Sequence, residues 1–208
     1  MRFRSFVLFV LCYVACAPGG VRAVAAIWAV NDGEKVERDD LNNPNKRANS
    51  TWEGHKVKIF GGRNEIIAFQ LIIEADSDGI NRLAVTLPQL VQKGGKSRIS
   101  YTAPALDPTT YSGRPIQIFS VNYMNVVVPS HAEWVYKVGS PAAPQDPTGW
   151  KPVQLIPENA RAGFGGFPLR VAGNQNQSVW IEIYTGRDLA AGVYSGTIAV
   201  NADGQKQT

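Results

Sequence analysis

Carboxylates are the abundant reactive side chains of this 208-residue chain, which has 17 acidic residues, two histidines and two cysteines. Two carboxyl groups held a few ångströms apart, one of them protonated, can cleave a glycosidic bond. The candidates are Asp39, Asp40, Asp107, Glu133, Glu158 and Asp188. Most fall in predicted loops, where a solvated surface acid is the ordinary outcome, and Asp39-Asp40 reads as a polar loop. No spacing makes any two converge, so no catalytic residue is assigned. His55 and His131 lack a partner at His-x-His or His-x-x-x-His spacing, which argues against zinc. Asp76-x-Asp78-Gly79 is half a calcium loop. It lacks the third acid, and position 87, where the bidentate Glu belongs, is Leu, so it reads as a turn. Gly163-Phe164-Gly165-Gly166 follows no predicted strand, opens no helix and has no P-loop Lys, so it reads as a flexible connection. Ser195-Gly196 does not complete a nucleophile elbow. Neither a metal nor a cofactor is expected.

Aromatic residues are the better candidates for recognition. Trp52, Trp134 and Trp150 sit in irregular, polar stretches. A sugar ring stacks on an exposed aromatic face because its C–H surface is apolar and slightly positive. The competing reading is architectural: large aromatics are mostly buried and can plug the ends of a sandwich or an inter-domain seam. Trp28 and Trp180 fall on predicted strands and read as core. Asn49-Ser50-Thr51 and Asn176-Gln177-Ser178 match the N-glycosylation pattern, which Asn-rich loops also produce by chance.

These side chains must be positioned by strands. In Glu65–Ala75, residues Ile67, Phe69, Leu71 and Ile73 alternate with a mixed set, behind a Gly-Gly-Arg-Asn turn. That pattern predicts a central strand, covered heavily on one side and partly on the other. Further strands are predicted at 26–30, 56–60, 83–87, 98–101, 116–128, 167–171, 179–184 and 194–200. Residues 31–54 read as a long surface loop. Residues 130–163 read as irregular because prolines recur at 141, 144, 147, 152 and 157, leaving room for no more than a helical turn around His131 to Tyr136. Eight to ten mainly antiparallel strands separated by Gly/Pro/Asn turns predict an all-β, jelly-roll-like sandwich, with a closed barrel as the lesser alternative.

The first 23 residues read as a cleaved secretory signal peptide. Arg2 and Arg4 precede an apolar run from Phe6 to Ala17, and Val21-Arg22-Ala23 has the small-x-small form of a cleavage site. Tyr13-Val14-Ala15-Cys16 loosely resembles a lipobox, so anchoring through Cys16 is a variant of the same reading. Residues 24–208 then form the β-sandwich domain, secreted or periplasmic. Loss of Arg2, Arg4 and Arg22 leaves 18 of the 21 basic residues against 17 acidic, and the net charge falls from +4 to +1. A nucleic-acid footprint is not supported at that charge, and no second apolar run suggests a transmembrane segment. Cys12 and Cys16 also leave, so the fold must be held by its core; about 185 residues can bury roughly 70% of their unfolded surface.

Three stretches, in order, carry a resemblance: Asn64-Glu65-Ile66-Ile67-Ala68-Phe69-Gln70; Leu155-Ile156-Pro157 ahead of Asn174-Gln175-Asn176-Gln177-Ser178-Val179-Trp180-Ile181; and Gly192-Val193-Tyr194-Ser195-Gly196-Thr197-Ile198. Together they resemble the N-terminal β-sandwich domain of glycoside hydrolase family 123 and related proteins of unassigned function, over nearly all of residues 26–202. Thr185-Gly186-Arg187 departs from the Pro-containing turn common in that group. The resemblance implies a partner (β/α)8 catalytic domain. That domain carries an Asp-Glu pair and lets the N-acetyl group of β-linked N-acetylgalactosamine act as nucleophile. None of that machinery maps onto residues of this chain. The expectation is therefore a non-catalytic accessory domain that packs on, or shapes the cleft of, a carbohydrate-active enzyme. The alternatives are a stand-alone carbohydrate-binding module using the loop tryptophans, or an envelope structural or adhesion protein. Within the resemblance, Asn64 is expected in a left-handed turn, Gly196 at a close backbone approach, and Tyr194 with its ring buried and its hydroxyl on a backbone partner.

Overall fold

A computed structural model describes residues 9–13 (as backbone), 23–110, 113–128, 140–141 and 148–208. The described residues form fifteen strands: β1 Phe9–Tyr13, β2 Val24–Asn31, β3 Trp52–Glu53, β4 Lys56–Ile59, β5 Glu65–Ala75, β6 Ile80–Thr86, β7 Gln89–Gln92, β8 Arg98–Ser100, β9 Ile116–Val126, β10 Gly149–Pro157, β11 Leu169–Val171, β12 Asn176–Thr185, β13 Val193–Thr197, β14 Ala199–Ala202 and β15 Gln205–Gln207. One short 3₁₀ turn, Pro44–Lys46, interrupts the β2–β3 loop. Among the described residues no helix is long and apolar enough to cross a membrane.

The strands make a five-stranded sheet (β10-β9-β12-β5-β2), a six-stranded sheet (β3-β4-β1-β13-β7-β8) and a four-stranded sheet (β11-β6-β14-β15). The last two share a bent layer. β13 runs into β14 past Ile198, so the strand expected at 194–200 counts twice. β6 is followed by β7 past Pro88, where the strand expected at 83–87 stops and the sequence predicts no further strand. All three sheets contribute to one core, among them Phe69, Leu71, Val179 and Ile181 from the five-stranded sheet and Leu83, Leu90, Tyr194 and Val200 opposite. Nearly every pairing is antiparallel; β1 runs parallel to β13 and antiparallel to β4. The fold is thus the expected β-sandwich.

β5 is central, flanked by β12 and β2. Ile67, Phe69, Leu71 and Ile73 fill the core, as their alternation predicts. Its other face is half covered by the 32–47 loop, which three side chains fasten to the sheet. Gln70 donates to the carbonyls of Asn31 (3.3 Å) and Glu34 (2.6 Å). Asn176 donates to those of Glu37 (3.2 Å) and Asp40 (2.9 Å). Glu74 pairs with Lys46. These buried polar groups anchor the loop, so its carbonyls are satisfied beneath it.

Two expectations need correction. Gly149–Pro157 is a nine-residue strand, although its prolines mark it as irregular. Among the described residues it lies at the sheet edge and pairs with β9 alone, with a register shift between Pro152 and Gln154, so a missing N–H is tolerated there. The Gly163–Gly166 segment, read as a flexible connection, is tied to the fold at Gly165 and packed closely at Gly166. Ser120 Oγ donates to the Gly165 carbonyl at 2.5 Å, and a Cβ on Gly166 would stand 1.5 Å from the Ala160 carbonyl oxygen.

Candidate recognition surface

The scaffold residues singled out in the sequence take the expected conformations. Asn64 has φ 59°. Tyr194 is fully buried, and its hydroxyl donates to the Ala190 carbonyl at 2.8 Å. A Cβ on Gly196 would lie 2.2 Å from the Gln89 carbonyl oxygen. Both sequon asparagines are structural. Asn49 donates to the carbonyls of Ala29 and Asn45 while its Oδ1 accepts from the N–H groups of Thr51 and Trp52. Asn176 is one of the loop anchors.

The tryptophans separate by environment. Trp52, paired with Val57 in the β3–β4 hairpin, is 3% exposed and belongs to the core. Trp150 is half-buried, and the Arg38 guanidinium lies 3.4 Å over its ring, so one face is already occupied by a cation. Trp134 lies outside the described residues, as do His131 and Glu133. Trp28 is core, as expected. Trp180 is not: it is half-buried on the outer face of β12, away from the core. The alternation in β12 carries that signal, with Val179, Ile181 and Ile183 pointing into the core and Trp180, Glu182 and Tyr184 pointing out.

Cross-strand pairing builds a surface around that row. Phe119 and Gln70 flank Trp180, Gln117 and Ala68 flank Glu182, and Ile66 lies beside Tyr184. Trp180 Nε1 donates to Glu182 Oε1 at 3.1 Å, which sets the indole on the sheet. Tyr184 donates to Asn64 Oδ1 at 2.9 Å. Over Trp180 runs a groove of about 320 Å³ between the Asp32–Lys35 rim and the Pro152–Leu155 wall. Beyond Glu182 lies a hollow of about 220 Å³ lined by Ile66, Arg114, Gln117 and Tyr184. Arg114 and Gln117 are both more than nine-tenths buried. Within the described residues, Arg114 Nε and Nη2 and Gln117 Oε1 make no hydrogen bond.

The expected acids are held in different places. Glu158 accepts from Arg114 Nη1 at 2.8 Å and from the Tyr101 hydroxyl at 2.9 Å. Burial, and then the hydrogen bond to Glu158, push the Tyr101 phenol up to about 12. Asp107 closes a turn on the hydroxyl and N–H of Thr109, and those hydrogen bonds hold its carboxyl below the usual range. Asp40 accepts from Asn43 at 2.7 Å. Burial raises the Tyr123 phenol, which receives the Ser178 N–H. Among the described residues no three His, Cys, Asp or Glu side chains form a metal-holding group.

The Arg114–Glu158–Tyr101 cluster ties the 102–110 and 158–166 loops together, Arg114 Nη1 also donating to the Thr102 carbonyl at 3.2 Å and Asn159 Nδ2 to the Ala105 carbonyl at 2.5 Å. These locked loops carry Leu106, fully exposed, and Phe164, 68% exposed.

No family model matches the chain, and no curated protein matches it. Among solved structures it is similar to a family 123 glycoside hydrolase from Clostridium perfringens, described for its hydrolysis of glycolipid glycans. The TM-score is 0.46 at 17% identity, over 69% of this chain and 19% of that one. The chain therefore spans about a fifth of that hydrolase.

Proposed function

We propose that this chain is a non-catalytic accessory β-sandwich of a carbohydrate-active protein, exported by its leader, which docks on a (β/α)8 catalytic domain. The observation that carries the reading is the pair of locked loops presenting Leu106 and Phe164. A loop that only closes the fold gains nothing from presenting large apolar side chains to water. A docking loop gains, because the ordering cost is met before the partner arrives. The three sequence stretches that resemble the sandwich of family 123 supply the class of partner. The acids give the same direction: Glu158, a half-buried acid candidate, is engaged by an arginine and a tyrosine and serves the loop lock.

The test mixes the exported chain with a separately produced family 123 (β/α)8 domain and follows association by sedimentation. A stable complex is expected, weakened about tenfold or more by Leu106→Asp combined with Phe164→Asp. In parallel, the chain alone is assayed against a chromogenic β-N-acetylgalactosaminide, and no turnover is expected. Turnover by the chain alone, or a complex indifferent to both substitutions, overturns the reading.

A further inference from the structure

We propose that the outer face of β12, from Trp180 through Glu182 to Tyr184, is a binding strip for a neutral oligosaccharide. This extends the carbohydrate reading to a ligand. Arg114 serves both the loop lock and the strip, but Trp180 and Glu182 belong to the strip alone and Leu106 and Phe164 to the docking loops alone, so either proposal can fail by itself.

Three features converge on that chemistry. The first is the aromatic floor. Trp180 is tied at its Nε1 to Glu182, and it lines an open groove. An indole in that position offers an apolar, electron-rich plane to the C–H face of a pyranose. The second is the mixture of polar groups. Asp32, Glu34 and Lys35 line the groove over Trp180, and Glu182, Arg114 and Gln117 line the hollow beyond it, so acids, bases and an amide all border the strip. An anion would meet the acids and a cation the bases. A polyhydroxyl ligand donates to the first and accepts from the second. Arg114 and Gln117 also line the hollow, and each holds a buried polar atom without a hydrogen bond among the described residues; a small side-chain rotation toward a ligand hydroxyl would relieve the cost of leaving such a group unpaired. The third is extent and rigidity. Trp180 and Tyr184 are four residues apart on a strand, about 13 Å at the usual rise, which suits an oligosaccharide better than a lone ring. The rim that closes the groove is fixed in advance, since Gln70 bonds the carbonyls of Asn31 and Glu34.

The experiment screens the intact exported chain on an array of neutral oligosaccharides, with polylysine and inorganic phosphate as charged controls, and measures the best ligand by calorimetry. The expected result is saturable binding to at least one oligosaccharide. Trp180→Ala should weaken it about tenfold or more, Trp180→Phe less, and Glu182→Gln several-fold. Leu106→Asp with Phe164→Asp should leave it unchanged. Near-ultraviolet circular dichroism and melting temperature confirm that each variant is folded. If Trp180→Ala unfolds the chain, Trp180→Phe and Glu182→Gln carry the decision. No retained oligosaccharide, binding indifferent to the β12 substitutions, or binding to polylysine or phosphate in place of sugars overturns the proposal.

Discussion

At the residue scale, burial decides what each conspicuous side chain does. The Tyr101 phenol is raised from 10.0 to about 12 by burial and by its bond to Glu158. A folded-state value above the unfolded one means that the native state binds the proton more tightly. Its contribution to stability is therefore whole below about pH 10 and is lost as pH rises through about 12. In an alkaline titration followed by phenolate absorbance, Tyr101→Phe should remove one late-ionising phenol. If the variant and the parent titrate alike, Tyr101 is not so placed. Gly196 gives a steric prediction. A Cβ there meets the Gln89 carbonyl oxygen at 2.2 Å and Leu90 Cδ2 at 2.8 Å, contacts that backbone and core cannot easily yield. Gly196→Ala should cost about 1–3 kcal/mol in denaturant unfolding, and an unchanged midpoint would contradict this placement.

At the scale of elements, β1 sits between β4 and β13, in the segment that the leader reading assigns for removal. Signal cleavage after Ala23 would leave those two strands as facing edges with unpaired backbone groups. Mass spectrometry of the exported protein should find Val24 at its N-terminus. Amides of Lys56–Ile59 and Val193–Thr197 should then exchange faster than in the uncleaved chain. Equal exchange in both forms would mean that β1 contributes no pairing. β10 shows how position in a sheet overrides residue preference. Pro152 and Pro157 argue against a strand, yet an edge strand with a shifted register has no second neighbour to satisfy.

At the scale of the whole molecule, the long β2–β3 loop and the five-stranded sheet behave as one body because buried amides bolt them together. Gln70 is the centre of that link. It also accepts the Ser178 hydroxyl at 2.9 Å. Gln70→Leu keeps the bulk but leaves the Asn31 and Glu34 carbonyls without their donor. It should lower stability by about 1–3 kcal/mol and speed proteolysis within residues 32–47, while β5 and β12 keep their exchange protection. Uniform loosening of the sheet would show that Gln70 acts through the core instead. The same link shapes the groove over Trp180, so oligosaccharide binding should weaken in this variant as well.

Much of this architecture was written in the chain. Period-two alternation in β5 and β12, the turn at Asn64, and the tyrosine and glycine of β13 are local matters, because a strand's two faces and a turn's backbone follow from neighbouring residues. Alternation also separates Trp180, Glu182 and Tyr184 from their buried neighbours, but it cannot say which face of a sheet remains open to solvent. That depended on where the 32–47 loop lay down and on which strand took the edge. Both are settled by contacts between residues distant in sequence, such as Gln70 with Glu34 and Asn176 with Glu37. For the same reason Trp52 entered the core, Trp150 met Arg38, and Glu158 was joined to a loop lock: each fate depends on a partner distant in sequence, which only folding brings near.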